Sequence, residues 1–304
     1  MKTLVVILNK DNADGLRKCL QSLASQTAEG FDVLVLDGAS KDASEEVARE
    51  FNVTFKVQDR LGGTGYARVE ACRYALERGY DAVIWGDSEN VYSEEYVERM
   101  VEGLEDADVV GGIPIVEGGF FAHAFAWYHA IHAIIPAVAK KHIPGNNRGE
   151  RVKIFERAMY PESRRAEDYG FSLLLMKRGV KLEQRVVDAK VYVSLPESIG
   201  DIHRWQMARA KGAAEAAYEV GVFPSDALIW LLALLPFPLL LISPMLSALL
   251  MLLVFLASLA IFVKSLSFIR KPKRAYFFAP FIGILIYSAY TLVSLLHYLR
   301  LKIF

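Results

Sequence analysis

The sequence predicts an α/β domain with a mostly parallel sheet, followed by a C-terminal region of transmembrane helices. Up to about residue 112, short apolar runs alternate with segments of helical periodicity, which is typical of βαβ units. Later in the chain of 304 residues, Ala227 to Val263 contains no charged residue, and this run is too long for an apolar core helix of a soluble protein. We therefore predict a domain over residues 1–225 and a membrane region over residues 226–304.

The first part of the domain shows five apolar runs separated by helical patterns. The last of these helices should begin at Ser93, because serine is a good N-cap and Glu94 and Glu95 then occupy the first turn, where the helix dipole favours acids. Predicted strands are residues 3–8, 32–37, 53–57, 81–86 and 108–112, and predicted helices are 14–26, 42–51, 64–79 and 93–104.

The second part of the domain begins with an aromatic, alanine-rich segment at residues 119–143. Its histidines and prolines interrupt it too often for a membrane span, so it predicts a helix that lies at the membrane interface or over the mouth of the active site. A strand at 146–156, a helix at 168–178 and a strand at 181–194 follow, and an amphipathic helix at about 199–220 leads to the membrane region.

The charge-free run is much longer than the roughly 20 residues that cross a bilayer. Pro236, Pro238 and Pro244 interrupt it, which favours two helices, 227–243 and 245–263, with a third at 276–296. Residues 264–275 are basic and contain no acid, so the positive-inside rule predicts that they lie in the cytoplasm and can bind anionic lipid headgroups. The N-terminus lacks a signal-peptide pattern. We expect a multi-pass protein of the cell membrane with its N-terminal domain in the cytoplasm.

Charge and cysteine content exclude several classes. Lys and Arg together equal Asp and Glu in number, and basic residues exceed acidic ones only after Asp226, between and after the apolar helices. Nucleic-acid binding is therefore not expected, because it requires a basic face on the folded domain. Cys19 and Cys72 lie far apart within predicted amphipathic helices and are expected to be buried, reduced side chains.

Polar residues follow the predicted strands at the edge where open α/β sheets bind ligands. Asp37 ends the second strand and can accept hydrogen bonds from a base or a ribose. The segment LGGTGYAR places Gly62 and Gly63 before a helix whose first turn carries Arg68, and such a helix start favours phosphate. Each pattern alone also occurs as an ordinary turn or cap.

Two acidic pairs add to this edge. Asp87 and Glu89 alternate in WGDSEN, so that both carboxylates can ligate Mg²⁺ or Mn²⁺ together with a diphosphate, although a solvated turn explains the pattern equally well. Glu167 and Asp168 open a predicted helix, where acids usually stabilise the helix dipole. Their position after a hydrophobic segment would also suit a base that takes a proton from a hydroxyl group of a bound substrate.

These motifs, taken in order, resemble glycosyltransferase family 2 over nearly all of residues 3–212. The resemblance rests on an opening strand that ends in Asn9, on SLASQT, DGAS and GTGYAR, on DSE at the D-x-D position, and on the Glu-Asp pair before a helix that ends at Gly179. Two departures are visible: Glu89 replaces the usual second aspartate, and the related Q-x-x-R-W segment is HRWQMAR here.

The resemblance implies a membrane-anchored GT-A fold, a nucleoside-diphosphate-sugar donor, a divalent cation and a lipid-linked acceptor. The implied reaction is an inverting transfer to an acceptor hydroxyl in glycolipid or glycan biosynthesis, with Asp168 as base beside Glu167 and with Asp87 and Glu89 on the metal. The residues implied to bind the nucleotide sugar are Asn9, Asp37, Gly62, Gly63, Arg68, Asp87, Arg204, Trp205 and Arg209.

Two alternatives stay open at this point. One is a polyprenyl-phosphate glycosyltransferase similar to dolichyl-phosphate mannose synthase, whose acceptor is already an anion and needs no base. The other is a non-catalytic membrane scaffold that binds sugar nucleotides, which the acids at all of the family's positions disfavour. The Glu-Asp pair favours the hydroxyl acceptor.

Overall fold

A computed structural model describes residues 1–163 and 165–303. Within them the chain forms two compact units, one of Met1–Pro114 and Ile135–Val193, the other of Ile115–Ile134 and the residues from Ser194 onward. The boundary predicted at residue 225 stays a prediction.

An eight-stranded sheet runs through the described residues in the order β3-β2-β1-β4-β7-β6-β8-β5. Its strands β1 to β8 are Thr3–Asn9, Phe31–Asp37, Thr54–Val57, Ala82–Asp87, Val91–Tyr92, Val109–Glu117, Arg148–Arg151 and Gln184–Ser194.

The first half of this sheet is parallel and the second half is antiparallel. Strands β3, β2, β1 and β4 pair in parallel, as the βαβ pattern predicts, whereas β7 pairs antiparallel with both β4 and β6. Strand β1 is almost wholly buried, which fits a central parallel strand covered by helices on both faces. Its register places Asn9 opposite Asp37, and Leu8 opposite Asp87. The parallel half therefore brings the predicted site residues to one edge.

Twelve α-helices connect and follow the strands in the described part of the chain. Helices α1 to α12 are Ala13–Ala24, Ser44–Glu50, Thr64–Glu77, Tyr96–Asp106, Phe120–Ile134, Pro136–Ala139, Lys153–Arg157, Glu167–Lys177, Ile199–Val220, Pro236–Leu239, Pro244–Ser265 and Ala279–Ile303. Short 3₁₀ segments lie at Gly145–Asn147, Ser225–Leu234, Leu266–Phe268 and Arg274–Tyr276.

Two local predictions are wrong. Helix α4 begins at Tyr96 rather than Ser93, because the Ser93 carbonyl accepts a hydrogen bond from the Tyr96 N–H in a turn, and the cap residue Glu95 makes no side-chain cap. The strand predicted at 146–156 ends at Arg151, and helix α7 follows it. Cys19 and Cys72 are buried and unpaired, as expected.

Two helices in the described residues are long and apolar enough to cross a membrane, Pro244–Phe268 and Ala279–Ile303. The segment predicted as a first span is instead the 3₁₀ helix Ser225–Leu234 followed by the short α10, since Pro236 and Pro238 prevent a continuous α-helix. The number of crossings stays a prediction.

Candidate active site

Asn9 and Asp37 lie side by side at the ends of β1 and β2. The Asn9 Nδ2 donates to Asp37 Oδ1 at 2.7 Å and to Ser44 Oγ at 2.9 Å, and Asp37 also accepts from the Ser40 N–H at 2.7 Å and the Ser40 hydroxyl at 2.6 Å. Asp37 is only 1% exposed. These bonds order the turn after β2.

The glycine loop before α3 has the backbone freedom that its sequence suggests. Gly62 has φ +99°, a left-handed conformation that favours glycine, and Gly63 precedes the helix in an extended conformation. A Cβ at Gly65 would lie 2.5 Å from the carbonyl oxygens of Pro161 and Ser163. The start of α3 therefore packs tightly against the segment that precedes α8.

Arg68 and Glu167 form a buried ion pair behind this loop. The Arg68 Nε donates to Glu167 Oε1 at 2.7 Å, and the Thr64 hydroxyl donates to the other carboxylate oxygen. Burial alone would lower the pKa of Arg68, but the charges of Glu167, Tyr160 and Asp168 more than offset it, so that the pKa is raised. Both oxygens of Glu167 thus accept hydrogen bonds from the protein.

Asp87 and Glu89 extend from the end of β4, with Asp87 partly buried and Glu89 exposed. Burial raises the pKa of Asp87 to about 7; the Arg68 charge opposes this, and the charges of Glu89, Glu167 and Asp168 add to it. No hydrogen bond to either carboxylate is found in residues 1–163 and 165–303. Asp87 and Glu89 therefore present carboxylate oxygens that no donor among the described residues uses, which is the donor chemistry that fits a hard divalent cation.

The described residues contain no group of three or more His, Cys, Asp or Glu side chains that could hold a metal ion. A cation at Asp87 and Glu89 would therefore need further oxygen ligands from water and from a phosphate-bearing ligand. Such a mixed ligand set is usual for Mg²⁺ at phosphate sites.

Asp168, at the start of α8, is held by backbone groups. Its Oδ2 accepts from the Gly145 N–H at 2.8 Å and its Oδ1 from the Tyr169 N–H at 2.8 Å. His142 Nε2 lies 3.9 Å from Oδ2, while His142 Nδ1 lies 2.7 Å from the Ser172 hydroxyl. Burial lowers the pKa of His142 to about 3, so this imidazole is neutral near pH 7.

A second buried ion pair lies next to Trp85 and was not predicted from the sequence. Arg148 and Glu150 on β7 are both fully buried, and Glu150 also accepts from Trp85 Nε1 at 2.7 Å and from the Tyr160 hydroxyl at 2.9 Å. The Arg68 guanidinium lies 4.6 Å from the Trp85 ring. Charged residues at alternate positions of one short strand could have revealed this pair, because they share a face.

The three remaining predicted residues lie in the other unit, on α9. Arg204 is exposed and pairs with Asp201. Trp205 stacks on His129, with ring centroids 6.0 Å apart, and the Arg209 guanidinium lies 3.8 Å from the Tyr128 ring centroid. The predicted site residues therefore form one group at the sheet edge and a separate group on α9.

Comparison with known families identifies the chain. Residues 4–157 match the family model described as glycosyl transferase family 2. The chain belongs to glycosyl transferase family 2. It is a glycosyltransferase, and the resemblance found in the sequence is confirmed.

Two curated relatives of this family member are informative. It is 26% identical over 203 residues to the undecaprenyl-phosphate mannosyltransferase of Micrococcus luteus, a match that covers 63% of this chain and 83% of that protein. It is 29% identical over 118 residues to glycosyltransferase AglE of Haloferax volcanii, where the match covers 36% of this chain and only 38% of the relative. With the two apolar helices, the first relative indicates association with a membrane.

Solved structures confirm the GT-A fold of this glycosyltransferase. The mannosyltransferase PcManGT from Pyrobaculum calidifontis, solved with GDP-Man and Mn²⁺, aligns with a TM-score of 0.62 at 16% identity, covering 98% of this chain and 87% of that one. Glucosyl-3-phosphoglycerate synthase from Mycobacterium tuberculosis, solved with UDP, aligns with a TM-score of 0.53 at 15% identity, covering 74% and 82%.

Proposed function

We propose that this glycosyltransferase transfers a sugar from a nucleoside diphosphate to the phosphate of a polyprenyl phosphate. The observation that carries the choice of acceptor is the state of the Glu-Asp pair. Both oxygens of Glu167 and both oxygens of Asp168 accept hydrogen bonds from the protein, so an acceptor hydroxyl would have to share an oxygen that a protein donor already uses. A phosphate acceptor is already deprotonated near neutral pH and needs no base. The undecaprenyl-phosphate mannosyltransferase from Micrococcus luteus supports the same acceptor.

The donor would lie at the carboxyl edge of the parallel strands. The turn held by Asn9 and Asp37 would contact the base and ribose, and the Gly62–Gly63 loop would approach the diphosphate through its backbone. Mg²⁺ or Mn²⁺ on Asp87 and Glu89 would neutralise the diphosphate as it leaves, and the GDP-Man and Mn²⁺ of PcManGT support this choice. A single displacement would invert the anomeric carbon.

Arg68 would position this edge without binding the donor itself. Its charge opposes the rise that burial causes in the pKa of Asp87, so it favours the ionised form that binds a cation. Glu167 in turn keeps Arg68 in place.

A second candidate, transfer to an acceptor hydroxyl, is favoured by one observation. The Asp168 side chain keeps 24% of its surface exposed, beside His142, so that a hydroxyl could approach it. In this reaction Asp168 would act as the base.

Asp168→Asn separates the two acceptors. Asparagine keeps the size of the side chain but cannot act as a base, so a phosphate acceptor predicts turnover within about tenfold of the wild type, whereas a hydroxyl acceptor predicts a loss of roughly 10² to 10⁴-fold. Turnover and donor affinity would be measured together, with Asp106→Asn, an exposed acid on α4, as the control. A large loss of turnover at unchanged donor affinity would replace the phosphate acceptor with the hydroxyl.

We also propose that the chain crosses the membrane three times, with the mostly apolar residues 225–242 as the first crossing before α11 and α12, and that its catalytic domain faces the cytoplasm. The five basic residues of the segment 264–275 support this orientation.

A cysteine at Ser267, which is exposed, should then resist an impermeant maleimide in intact cells and react after permeabilisation. Ile242→Cys, near the predicted turn between two spans, serves as the control that reacts from outside. Cys19 and Cys72 are buried and should give little background. Ready labelling of Ser267→Cys in intact cells would reverse the proposed orientation.

A further inference from the structure

In the second unit, helices α5 and α9 surround a guanidinium with aromatic rings. Arg209 lies 3.8 Å from the centroid of Tyr128 and 5.0 Å from that of Trp205. His129 stacks on Trp205 with an interplanar angle of 8°. The rings hold the cation by its faces and leave its N–H edge for another partner.

That edge has no acceptor within the described residues. Arg209 Nη1, His129 Nε2, Gln206 Nε2 and Trp127 Nε1 are all buried without a hydrogen-bond partner there. Gln206 and Trp127 are 2% and 1% exposed. Buried donors normally find acceptors, so several unpaired donors in neighbouring residues indicate a missing acceptor.

The other buried guanidinium groups, unlike Arg209, have carboxylate partners. Arg68 has the carboxylate of Glu167 and Arg148 has that of Glu150. No ion pair with Arg209 is found in the described ranges. Burial accordingly lowers the pKa of Arg209 to about 10, and only the phenol of Tyr287 opposes the shift. Arg209 still carries its charge near pH 7, so the missing partner is an anion.

We propose that Arg209, with His129 and Gln206, binds a phosphate group carried by a lipid. Arginine and neutral N–H donors suit phosphate oxygens, and aromatic rings suit the apolar chain beside them. The same unit contains both helices that are long and apolar enough to span a membrane, which favours a phosphate on a lipid over a free one.

The inference rests on the proposed function only in taking this lipid to be the acceptor, a polyprenyl phosphate. It also reassigns Arg209 from the donor to the acceptor. Binding is therefore best measured without any nucleotide sugar, so that turnover is not needed.

The test uses the full chain in nanodiscs and undecaprenyl phosphate as the probe, with tryptophan fluorescence as the readout. The wild type should bind it, Arg209→Gln should weaken binding by at least roughly tenfold, because hydrogen bonds to charged groups are lost, and Lys211→Gln, at an exposed position of the same helix, should change it less than twofold. Undecaprenol, which lacks the phosphate, should not bind measurably.

Three results would overturn the proposal. Binding of undecaprenol as tight as that of undecaprenyl phosphate is the first, and undiminished binding of undecaprenyl phosphate by Arg209→Gln is the second. The third is competition by inorganic phosphate at the same concentration as the lipid, which would indicate a site for free phosphate. If Arg209→Gln unfolds, Arg209→Lys and Gln206→Met carry the same expectation of weakened binding. If undecaprenyl phosphate binds but receives no sugar, the proposed function is wrong and the phosphate site at Arg209 is not affected.

Discussion

Asp87→Ala should lower sugar transfer by roughly 10³-fold, because the departing diphosphate would lose several kcal/mol of stabilisation from the cation. Glu89→Ala should also lower transfer, and both variants should respond less to added Mg²⁺ or Mn²⁺. The measurement is the initial rate of transfer at a series of cation concentrations. Glu117→Ala, which removes a partly exposed acid from β6, provides the control. Full activity of the wild type in EDTA would remove the cation from the mechanism.

Asp87→Asn should stabilise the folded chain at high pH, although it removes a carboxylate from the proposed cation site. The carboxyl has a pKa of about 7 in the folded chain but about 3.9 in an unfolded one, so its ionised form is disfavoured by folding. This cost is absent below about pH 4, grows as the pH rises and is complete above pH 7. In EDTA at pH 8 the variant should therefore melt several degrees above the wild type, and the difference should shrink toward pH 4. A lower Tm at pH 8 would contradict the burial of this charge.

Glu167→Ala should destabilise the first unit by about 3 to 5 kcal/mol, because it leaves the buried Arg68 cation without a partner. A loss of this size corresponds to a fall in Tm on the order of 10 °C for a unit of this length. Thermal unfolding of the full chain in detergent, followed by protease resistance of the first unit, measures it.

The control is an exposed ion pair of the same unit. Arg17 and Glu50 pair at the surface with side chains 45% and 51% exposed, so Glu50→Ala should cost less than about 1 kcal/mol. Glu167→Gln should lie between the two, since the amide can still accept from Arg68 but carries no charge. Equal melting temperatures for Glu167→Ala and Glu50→Ala would show that the buried pair does not hold the site together.

The parallel half of the sheet could be predicted from the sequence because each strand is an apolar run of the right length. Strand β1 was predicted at 3–8 and observed at Thr3–Asn9, and helix α9 was predicted and observed at 199–220. The antiparallel half was harder. Strand β7 is short, contains Arg148 and Glu150 and has no apolar alternation, so its position between β4 and β6 depends on tertiary hydrogen bonds such as those that Glu150 accepts from Trp85 and Tyr160.

The site shows the same division. Local motifs correctly singled out a sheet edge with Asn9, Asp37 and Asp87, because the chain order of parallel strands fixes which ends meet. They could not show that Asp37 accepts a hydrogen bond from Ser40 or that Glu167 accepts one from Arg68, since those partners depend on turn geometry and on long-range packing. Roles in binding a donor therefore stay predictions for these residues.

The identity of the acceptor is the central question for this enzyme. The decisive measurement offers the purified chain a radiolabelled nucleotide sugar together with undecaprenyl phosphate or undecaprenol, in separate nanodiscs of the same phospholipid, across a panel of nucleotide sugars. We expect a labelled lipid only with undecaprenyl phosphate, and that product should release its sugar in mild acid, as a glycosyl phosphate does. A labelled, acid-stable product from undecaprenol, with none from undecaprenyl phosphate, would contradict this expectation.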